Sequence, residues 1–538
     1  MPVLISASAK GVSPDAYDLW CALADAPVAL DTDRRMPETG RLLEHAFDVG
    51  ADAYLARGKR LSAEPSGGLS HAAACAVNPS DLGLMLAWSR VIEDWAAAAD
   101  TVLVICTDPW MFRHLASKPG VATIGSTPAL WPQAARLWLR GYLSRLRFAG
   151  RAAWAALAFR RHRMRARAGE SALLVYAHPA STEDGKDGFF GDLLTRLPGL
   201  RRVLHTDRPL ADVRRLTAKD DSISLHAWGN PSRALTLPWV KWRPGRTHRA
   251  APEGWLVRRA AAREGGGGTA AAIRWQHHCQ RTWLQCVRPT AVAWPWENHN
   301  WEREFVRQAR AFGVHTVGYQ HSVIGGQMLN HATGSNADGL DSIPDRIVCN
   351  GPQTRAQLEA WGVPGDRLVI GGALRYPAPH RVRHEADAPY FLALPFDAPT
   401  AAQMVEAAMR VAGPDRRFAV RAHPIYGFDF EETETVRRAT GSLTEQAAVA
   451  GVIYAATTVG LESLLMGLPT LRFRPRGRIA IDILPKGLGA AVADPENFAM
   501  ALDALEPPPA MAHEDVFAPV DMDVWSELLK EKEGRHGA

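Results

Sequence analysis

The sequence predicts an α/β protein built on open, mainly parallel sheets. Short runs of β-branched or apolar residues alternate with helix-like stretches along the 538-residue chain. This order is typical of strands that are joined by crossover helices. Several of the runs end in polar residues at the place where ligands bind to such sheets. The length exceeds what one hydrophobic core serves, so we expect two domains.

Composition excludes several classes of protein. The chain is 47% hydrophobic and 22% charged with a formal net charge of +5, which is too weak a basic bias for a nucleic-acid binder. Six cysteines without a CxxC pair argue against zinc ribbons and redox dithiols and suit a reducing compartment. We find no secretory signal and no apolar run long enough to span a membrane. A cytoplasmic protein is therefore expected.

The first part of the chain, residues 1–380, is predicted to be one N-terminal Rossmann-like domain. A helix is predicted over residues 80–100, and EGGGGT (264–269) is predicted to be a flexible loop. The predicted strands include VLISAS (3–8), TVLVICTD (101–108), SALLVYAHP (171–179), RRVLHTD (201–207), ALTLPWVKW (234–242) and TAVAWPWE (290–297).

Residues 132–168 form a basic segment inside this domain. The segment carries ten arginines and no acidic residue, and leucines and aromatic residues recur in it at roughly helical spacing. One interpretation is a helical insertion that packs on the domain while its arginines reach into water. The other is a basic amphipathic surface that contacts anionic lipid head groups.

The second domain is predicted to span residues 386–515, after a crossover rich in proline and charge at 376–389. Residues 516–538 are predicted to be a short helix and a tail. The predicted elements are strands at YFLALPFD (390–397), FAVRAHP (418–424), VIYAATT (452–458), PTLRF (469–473) and GAAVAD (489–494), with helices at 399–412, around 431–439 and at 459–467.

The AATT turn in this second domain predicts a phosphate site. Thr457 and Thr458 fall at a helix N-terminus, where free backbone N–H groups and the helix dipole attract phosphate. The alternative is that one threonine only caps the helix. Glu462 lies one turn further on, where it would accept a hydrogen bond from a ribose hydroxyl or lie on a solvated face.

RAHP places His423 after a buried strand and before a proline. An imidazole there can donate to phosphate or protonate a departing phosphate, although a histidine at a strand end is often only structural. Arg421 would lie on the same side of the strand and is the weaker candidate.

WPWENHNWERE places Glu297 just beyond a strand and between tryptophans. Such a carboxylate suits general acid/base chemistry, while an N-cap or a buried ion pair is the structural alternative. Glu302 and Glu304 are interpreted as helix-surface charges. His321 ends the next strand, where it could contact a donor phosphate or an acceptor hydroxyl.

The glycine-rich loop at 178–194 contains Asp187 and Asp192. Either could bind acceptor or act as a catalytic base, and a solvated loop with a helix-capping aspartate is the equal alternative. No cluster with metal-ligand spacing is present, so no metal site is predicted. The absence of GxxxxGK[ST] excludes a P-loop NTPase.

The HP element, the hydroxyl-rich turn and GLESLLMGLPTL together resemble the donor-binding half of GT-B glycosyltransferases, closest to those that use CMP-activated acidic sugars such as sialic acid and Kdo. The segment WENHNWERE…GYQHS…MLNH resembles enzymes of bacterial surface-carbohydrate (O-antigen and capsule) biosynthesis. The resemblance covers roughly residues 290–475 and implies two Rossmann-like domains that face a central cleft. It also implies that His423, Thr457 and Thr458 hold the CMP phosphate.

The hypothesis from the sequence is therefore a metal-independent GT-B glycosyltransferase without a cofactor, which transfers an acidic sugar from a CMP-sugar to a growing surface glycan. Glu297 would deprotonate the acceptor, with His321 in reserve, and the basic segment would hold the enzyme at the inner face of the cytoplasmic membrane. One alternative is the same fold with a UDP- or GDP-sugar or a CDP-alcohol. The other is a non-catalytic scaffold for envelope assembly.

Overall fold

The computed structural model describes residues 3–23, 30–206, 209–219, 221–376, 382–423 and 426–530. Three parallel sheets of four, seven and six strands organise these residues, together with one two-stranded pair. The predicted α/β class is confirmed. The predicted crossover at 376–389 falls partly on residues 377–381, which lie outside the described residues.

The first sheet is small and has its own core. Its strand order is β2-β3-β1-β4, and all pairs are parallel. The strands carry apolar side chains on both faces because helices cover both of them. The elements are β1 Val3–Ser6, β2 Leu19–Leu23, α1 Thr39–Val49, α2 Ala51–Ser62, α3 Leu82–Ala96, β3 Val102–Cys106, α4 Pro109–Ala116 and β4 Val121–Ile124.

The second sheet has the Rossmann strand order with one extra strand. The order is β7-β6-β5-β8-β9-β10-β11, so the chain reverses direction across the sheet between β5 and β8. The strands are β5 Ala172–Val175, β6 Arg201–Leu204, β7 Ser222–Ser224, β8 Ala291–Pro295, β9 His315–Gln320, β10 Arg346–Cys349 and β11 Leu368–Ile370. The helices are α5 Leu130–Ala158, α6 Leu193–Arg196, α7 Leu210–Leu216, α8 Pro231–Ala234, α9 Arg246–Ala250, α10 Gly254–Gly265, α11 Thr269–Val287, α12 Asn300–Ala311 and α13 Pro352–Ala360.

The third sheet has the six-strand Rossmann order β15-β14-β13-β17-β18-β19, with its reversal between β13 and β17. Its strands are β13 Tyr390–Ala393, β14 Phe418–Arg421, β15 Val436–Arg438, β17 Val452–Tyr454, β18 Thr470–Phe473 and β19 Ala491–Ala493, and β12 Arg383–His384 pairs with β16 Ala448–Val449 beside it. The helices are α14 Ala398–Val411, α15 Val459–Leu465 and α16 Phe498–Asp503, and the last helix, α17 Met522–Leu529, returns to the core of the second unit.

Two Rossmann-like units are thus present as predicted, but the division of the N-terminal part is corrected. Residues 1–380 contain two sheets with separate hydrophobic clusters instead of one domain. The basic segment 132–168 is mostly the long helix α5, which connects the first sheet to the second and is not an insertion within one domain. The third sheet lies inside the predicted range 386–515.

Two local predictions are also corrected. ALTLPWVKW (234–242) forms no strand: short helical turns occupy Pro231–Ala234 and Leu237–Trp239, because its Pro238 cannot donate to a strand ladder. The region around 431–439 contains strand β15 and no helix. The predicted short helix near the C-terminus is present as α17, and its Trp525 packs against Tyr319 and donates to the carbonyl of Gly371 in the second unit.

The carboxyl edges of the second and third sheets face each other. Val323, which follows β9, packs in one cluster with Leu461 and Leu464 of α15. The backbones of the two units approach closely at Gly325, which has no side chain: a Cβ atom there would lie 1.8 Å from the carbonyl oxygen of Asp482. The predicted arrangement of two Rossmann-like units around a central cleft is therefore present.

The first unit closes the side of this cleft. Glu44 of α1 accepts hydrogen bonds from Arg472 (2.6 Å) and Arg474 (2.8 Å) at the end of β18, and all three side chains are largely buried. Trp88 of α3 donates to the carbonyl of Gly477 at 3.2 Å. Three units therefore meet around the cleft, a feature that the sequence did not indicate.

Candidate functional site

Glu297 lies at the end of β8, where the second sheet meets the cleft. Trp294 and Trp296 beside it are fully buried, while 40% of the Glu297 side chain remains exposed. Asn298 follows with a left-handed backbone (φ 56°), a conformation that asparagine tolerates better than most residues. The strand therefore ends in a sharp turn that presents the Glu297 carboxylate.

Glu302 holds this turn in place, and its interpretation as a surface charge was wrong. The side chain is 1% exposed, and one of its oxygens accepts from the backbone N–H of Glu297 (2.8 Å), the N–H of Asn298 (2.9 Å) and the indole of Trp294 (3.3 Å). Burial raises its pKa to about 7 in spite of these donors. Glu302 is a positioning residue: it lies in the first turn of α12, and its side chain points toward the preceding loop that carries Glu297.

Two histidines contact the Glu297 carboxylate. His299 Nε2 lies 2.9 Å from Glu297 Oε2, and His321 Nε2 lies 3.9 Å from Oε1. Burial alone would raise the pKa of Glu297, but the hydrogen bond and charge of His299, helped by His321 and His331, outweigh burial and lower it below its ordinary value. Burial alone would lower the pKa of His299, and its bond to Glu297 raises it instead. The pair therefore favours the ionised form of Glu297 and the protonated form of His299.

His321 and His331 are neutral imidazoles near the same carboxylate. Burial lowers the pKa of each to about 4, although Glu297 opposes the shift. Asn330, next to His331, donates to the Glu297 carbonyl at 2.7 Å. The structure thus brings the two predicted catalytic residues together, and it adds two histidines that the sequence reasoning missed.

The glycine-rich loop supports His321 from the other side. Asp187 is 2% exposed and accepts from the backbone N–H groups of Phe189 (2.9 Å) and Phe190 (3.2 Å). The Phe189 ring packs edge-on against His321 at 5.0 Å between centroids. Asp187 therefore shapes the loop that covers His321, whereas Asp192 precedes α6 without a side-chain capping bond and has a side chain that is 62% exposed.

The hydroxyl turn of the third sheet faces this cluster across Arg375. Thr457 accepts from the backbone N–H of Val459 at 3.2 Å, and Thr458 donates to Glu462 at 3.3 Å. Burial raises the pKa of Glu462, against the hydrogen bond from Thr458 and the charge of Arg375. The same Arg375 helps to lower the pKa of His321 after burial. One guanidinium therefore lies within electrostatic reach of both edges of the cleft.

His423 lies just beyond β14, next to the strand reversal of the third sheet. Its ring packs near Phe396 (6.3 Å between centroids) and Tyr426 (5.6 Å), and partial burial lowers its pKa. Arg421 ends β14 and is paired in register with Ala393 of β13. These residues form an aromatic and basic rim at the carboxyl edge.

A cavity of about 710 Å³ opens at the same edge. From the third unit it is lined by Phe396, Asp397, Ala456 and Arg478. Asp397 is fixed by a two-point bond with Arg478 at 2.8 and 3.0 Å. Ala456 has a left-handed backbone (φ 50°), and such strain concentrates at functional sites. The cavity is large enough for a nucleotide-sized ligand.

The opposite wall of this cavity comes from the first unit and α10. Glu264 is half-buried there: one oxygen accepts from the N–H of Ala72 at 2.8 Å, and the other is a buried atom with no hydrogen-bond partner within the described residues. Burial raises its pKa to about 7. His71 also lines the cavity, and its ring packs edge-on against His299 at 5.8 Å. His71 thus connects the cavity with the Glu297 cluster.

No group of three or more histidine, cysteine or acidic side chains in the described part of the chain is arranged to hold a metal ion. Nor does any helix in those ranges have the length and apolar character that a membrane span requires.

Comparisons with known proteins give only distant similarity. No family model and no curated protein matches the chain. Among solved structures, UDP-N-acetylglucosamine 2-epimerase from Rickettsia bellii is 12% identical over 63% of this chain and 89% of that one, with a TM-score of 0.38. The calicheamicin glycosyltransferase CalG4 is 13% identical over 62% and 89%, with a TM-score of 0.38. The lipopolysaccharide outer core galactosyltransferase WaaB is 10% identical over 67% and 94%, with a TM-score of 0.32. Similarity this low assigns no activity to the chain.

Proposed function

We propose that the protein is a GT-B glycosyltransferase that uses a nucleotide-activated sugar. One observation carries the proposal: the ionised Glu297, held by His299 and His321, lies at the carboxyl edge of one Rossmann-ordered sheet, and a second such sheet presents its own edge across the cleft. Ligands of open α/β sheets bind at these edges.

The donor is proposed to bind at the strand reversal of the third sheet. The backbone N–H groups at Thr457 and Thr458, with His423 beside them, would hold the phosphate, while Arg421 adds positive charge. The base and ribose would occupy the cavity next to Phe396, and Glu462 would accept from a ribose hydroxyl. A neutral His423, favoured by its lowered pKa, can donate one hydrogen bond to phosphate.

The transfer step follows from the placement of the carboxylate. The acceptor hydroxyl would lose its proton to Glu297 while its oxygen forms the bond to the anomeric carbon of the sugar. The bond from that carbon to the phosphate oxygen breaks, and its electron pair leaves with the nucleotide. His423 and the turn N–H groups stabilise the charge that develops on the leaving phosphate. No metal ion or other cofactor is part of this proposal.

The donor that we propose is a CMP-linked acidic sugar such as Kdo or another ulosonic acid. Within the same fold, a UDP- or GDP-sugar or a CDP-alcohol is the alternative. The acceptor would be a growing surface glycan, lipid-linked or free, which the second unit binds beside Glu297. Contact with an anionic membrane through residues 132–168, at the inner face of the cytoplasmic membrane, belongs to the same proposal. A non-catalytic scaffold remains the competing function, because Glu297 and its histidines could serve as a structural ion-pair network.

A thermal-shift panel of CMP, CDP, UDP, GDP and ADP tests the donor class. We expect CMP to raise the melting temperature of the wild-type protein, and the rise should grow with the logarithm of the ratio of CMP concentration to Kd. His423→Ala should lose this shift. His384→Ala, an exposed histidine of the same unit, should keep it.

The other outcomes decide between the alternatives. Stabilisation by a different nucleotide that is lost in His423→Ala would replace the CMP donor but keep the site. Stabilisation that survives in His423→Ala would overturn the site. No stabilisation by any nucleotide, with or without oligosaccharide acceptor, would favour the scaffold.

A further inference from the structure

One exposed face of α5 carries a continuous apolar stripe. Leu139, Leu143, Leu146, Trp154 and Leu157 are 53%, 43%, 48%, 45% and 55% exposed. Their spacing puts them on one side of the helix over about 27 Å, at 1.5 Å per residue. Apolar side chains that are exposed singly need no explanation, but a stripe of this length does.

Aromatic residues flank the stripe at the helix N-terminus. Trp131 and Trp138 are 79% and 56% exposed, and Trp239, from the turn that follows α8, is 63% exposed. Tyr142 joins them: its ring stacks on Trp138 at 5.8 Å and meets Trp239 edge-on at 6.2 Å. Tryptophan and tyrosine favour the boundary between water and lipid because their rings are apolar at one end and polar at the other.

The stripe is held facing outward. The opposite side of α5 is buried in the core of the second unit through Phe148, Ala152 and Ala155. Arg145 fixes the same side with hydrogen bonds to the carbonyls of Pro238 (2.9 Å) and Gly265 (2.6 Å). The helix therefore cannot rotate to bury the stripe within the chain.

Positive charge lies along the stripe. Arg136, Arg140, Arg147 and Arg151 follow the helix beside it, and no acidic residue occurs between Asp108 and Glu170. Arginine beside exposed leucine and tryptophan complements a surface that is anionic outside and apolar beneath, which describes an anionic bilayer. A nucleic acid would complement the charge but would leave the leucines in water.

We propose that this α5 face, defined by the five stripe residues with Trp131, Trp138 and Trp239, lies in the plane of an anionic lipid bilayer. The bilayer would be a partner of the proposed glycosyltransferase, and only the purpose of the contact rests on that proposed function. Arg136, Arg140 and Leu137 of the same helix line the cavity at the third sheet. Membrane contact would therefore bring the cavity close to the lipid surface, where a lipid-linked acceptor is presented.

The test is sedimentation of the full-length protein with vesicles of phosphatidylcholine alone or mixed with phosphatidylglycerol. We expect binding to the anionic vesicles and much weaker binding to the neutral ones. The triple variant Leu139→Gln, Leu143→Gln, Leu146→Gln should bind at least about tenfold more weakly. Its control is Val49→Gln with Met500→Gln, which replaces apolar side chains that are 51% and 67% exposed away from α5.

A second variant separates charge from apolar contact. Arg147→Gln with Arg161→Gln, two exposed arginines of the basic segment, should weaken anionic binding about thirty-fold, since each arginine near the surface contributes roughly 1 kcal/mol, and 0.5 M salt should reduce that difference. All of the replaced residues are exposed, so equal melting temperatures would show that the variants fold.

Three results would overturn the proposal. The first is no binding to anionic vesicles, and the second is binding that the leucine triple variant leaves unchanged. The third is a dimer of the wild-type protein that the triple variant dissociates, because a second copy would then cover the α5 face. Vesicle binding needs no nucleotide, so failure of the donor proposal leaves this test intact.

Discussion

Replacing Glu302 with glutamine should make the unfolding free energy less dependent on pH. Glu302 is 1% exposed, and burial raises its pKa to about 7, whereas an unfolded glutamate titrates near 4.5. An acid whose pKa is raised by folding stabilises the fold below its unfolded pKa, and this contribution is lost as the pH rises through the folded pKa. Glutamine keeps an oxygen for the N–H groups of Glu297 and Asn298 but does not titrate.

The size of the effect follows from the shift. One pKa unit corresponds to about 1.4 kcal/mol, so the wild-type protein should lose about 3 kcal/mol between pH 4.5 and pH 8 through this carboxyl. Across that range, Glu302→Gln should gain stability relative to the wild type by the same amount. Glu302→Ala should destabilise at every pH by about 3–6 kcal/mol, because three buried donors lose their acceptor.

Urea unfolding at several pH values, followed by circular dichroism, measures the difference. The matched control is Glu304→Gln on the same helix, whose side chain is 35% exposed and pairs with Arg307. A stability difference between Glu302→Gln and the wild type that stays flat from pH 4.5 to pH 8 would refute the reasoning. The reasoning would also be refuted if Glu304→Gln reduced the pH dependence of the unfolding free energy as much as Glu302→Gln does.

Three further outcomes are expected. Glu297→Gln should lower sugar transfer by about 10²–10⁴-fold and leave nucleotide affinity within about twofold; loss of both in transfer and calorimetric binding assays would indicate a structural role instead. His423→Ala should weaken nucleotide binding by roughly 10–100-fold through one lost hydrogen bond to phosphate, as titration calorimetry would show, and an unchanged Kd would remove His423 from the site. Glu44→Ala should destabilise the protein by about 3–5 kcal/mol in chemical denaturation because Arg472 is left buried without its carboxylate; Glu406→Ala, which breaks an exposed pair with Arg410, should cost at most about 1 kcal/mol, and equal effects would contradict the interpretation.

The sequence predicted the elements whose signal is local. Parallel strands put their ends at one edge, so Glu297 and His321 were expected together, and β8 and β9 are indeed neighbours. Five of the six strands of the third sheet were also predicted from alternating strands and helices, although β15 was mistaken for a helix because its Val-Arg-Arg run carries little apolar signal.

The missed features depend on contacts between distant segments. Glu302 looks like a helix-surface charge until the turn at Asn298 brings two N–H groups to it. Glu264 is half-buried where the loop at Ala72 packs against the end of α10 and donates a hydrogen bond to it. The first two sheets were assigned to one domain because α5, which connects them, was interpreted as an insertion. Apolar residues occur on both the buried and the exposed side of this helix, so its sequence does not show which side packs on the protein.

A crystal structure of the protein with the nucleotide that stabilises it would test the central claim most directly. We expect the phosphate to lie at the turn of Thr457 and Thr458, within hydrogen-bond distance of His423. The phosphate oxygen that would carry the sugar should face Glu297. A nucleotide bound away from the carboxyl edge of the third sheet, or with its phosphate directed away from Glu297, would contradict it.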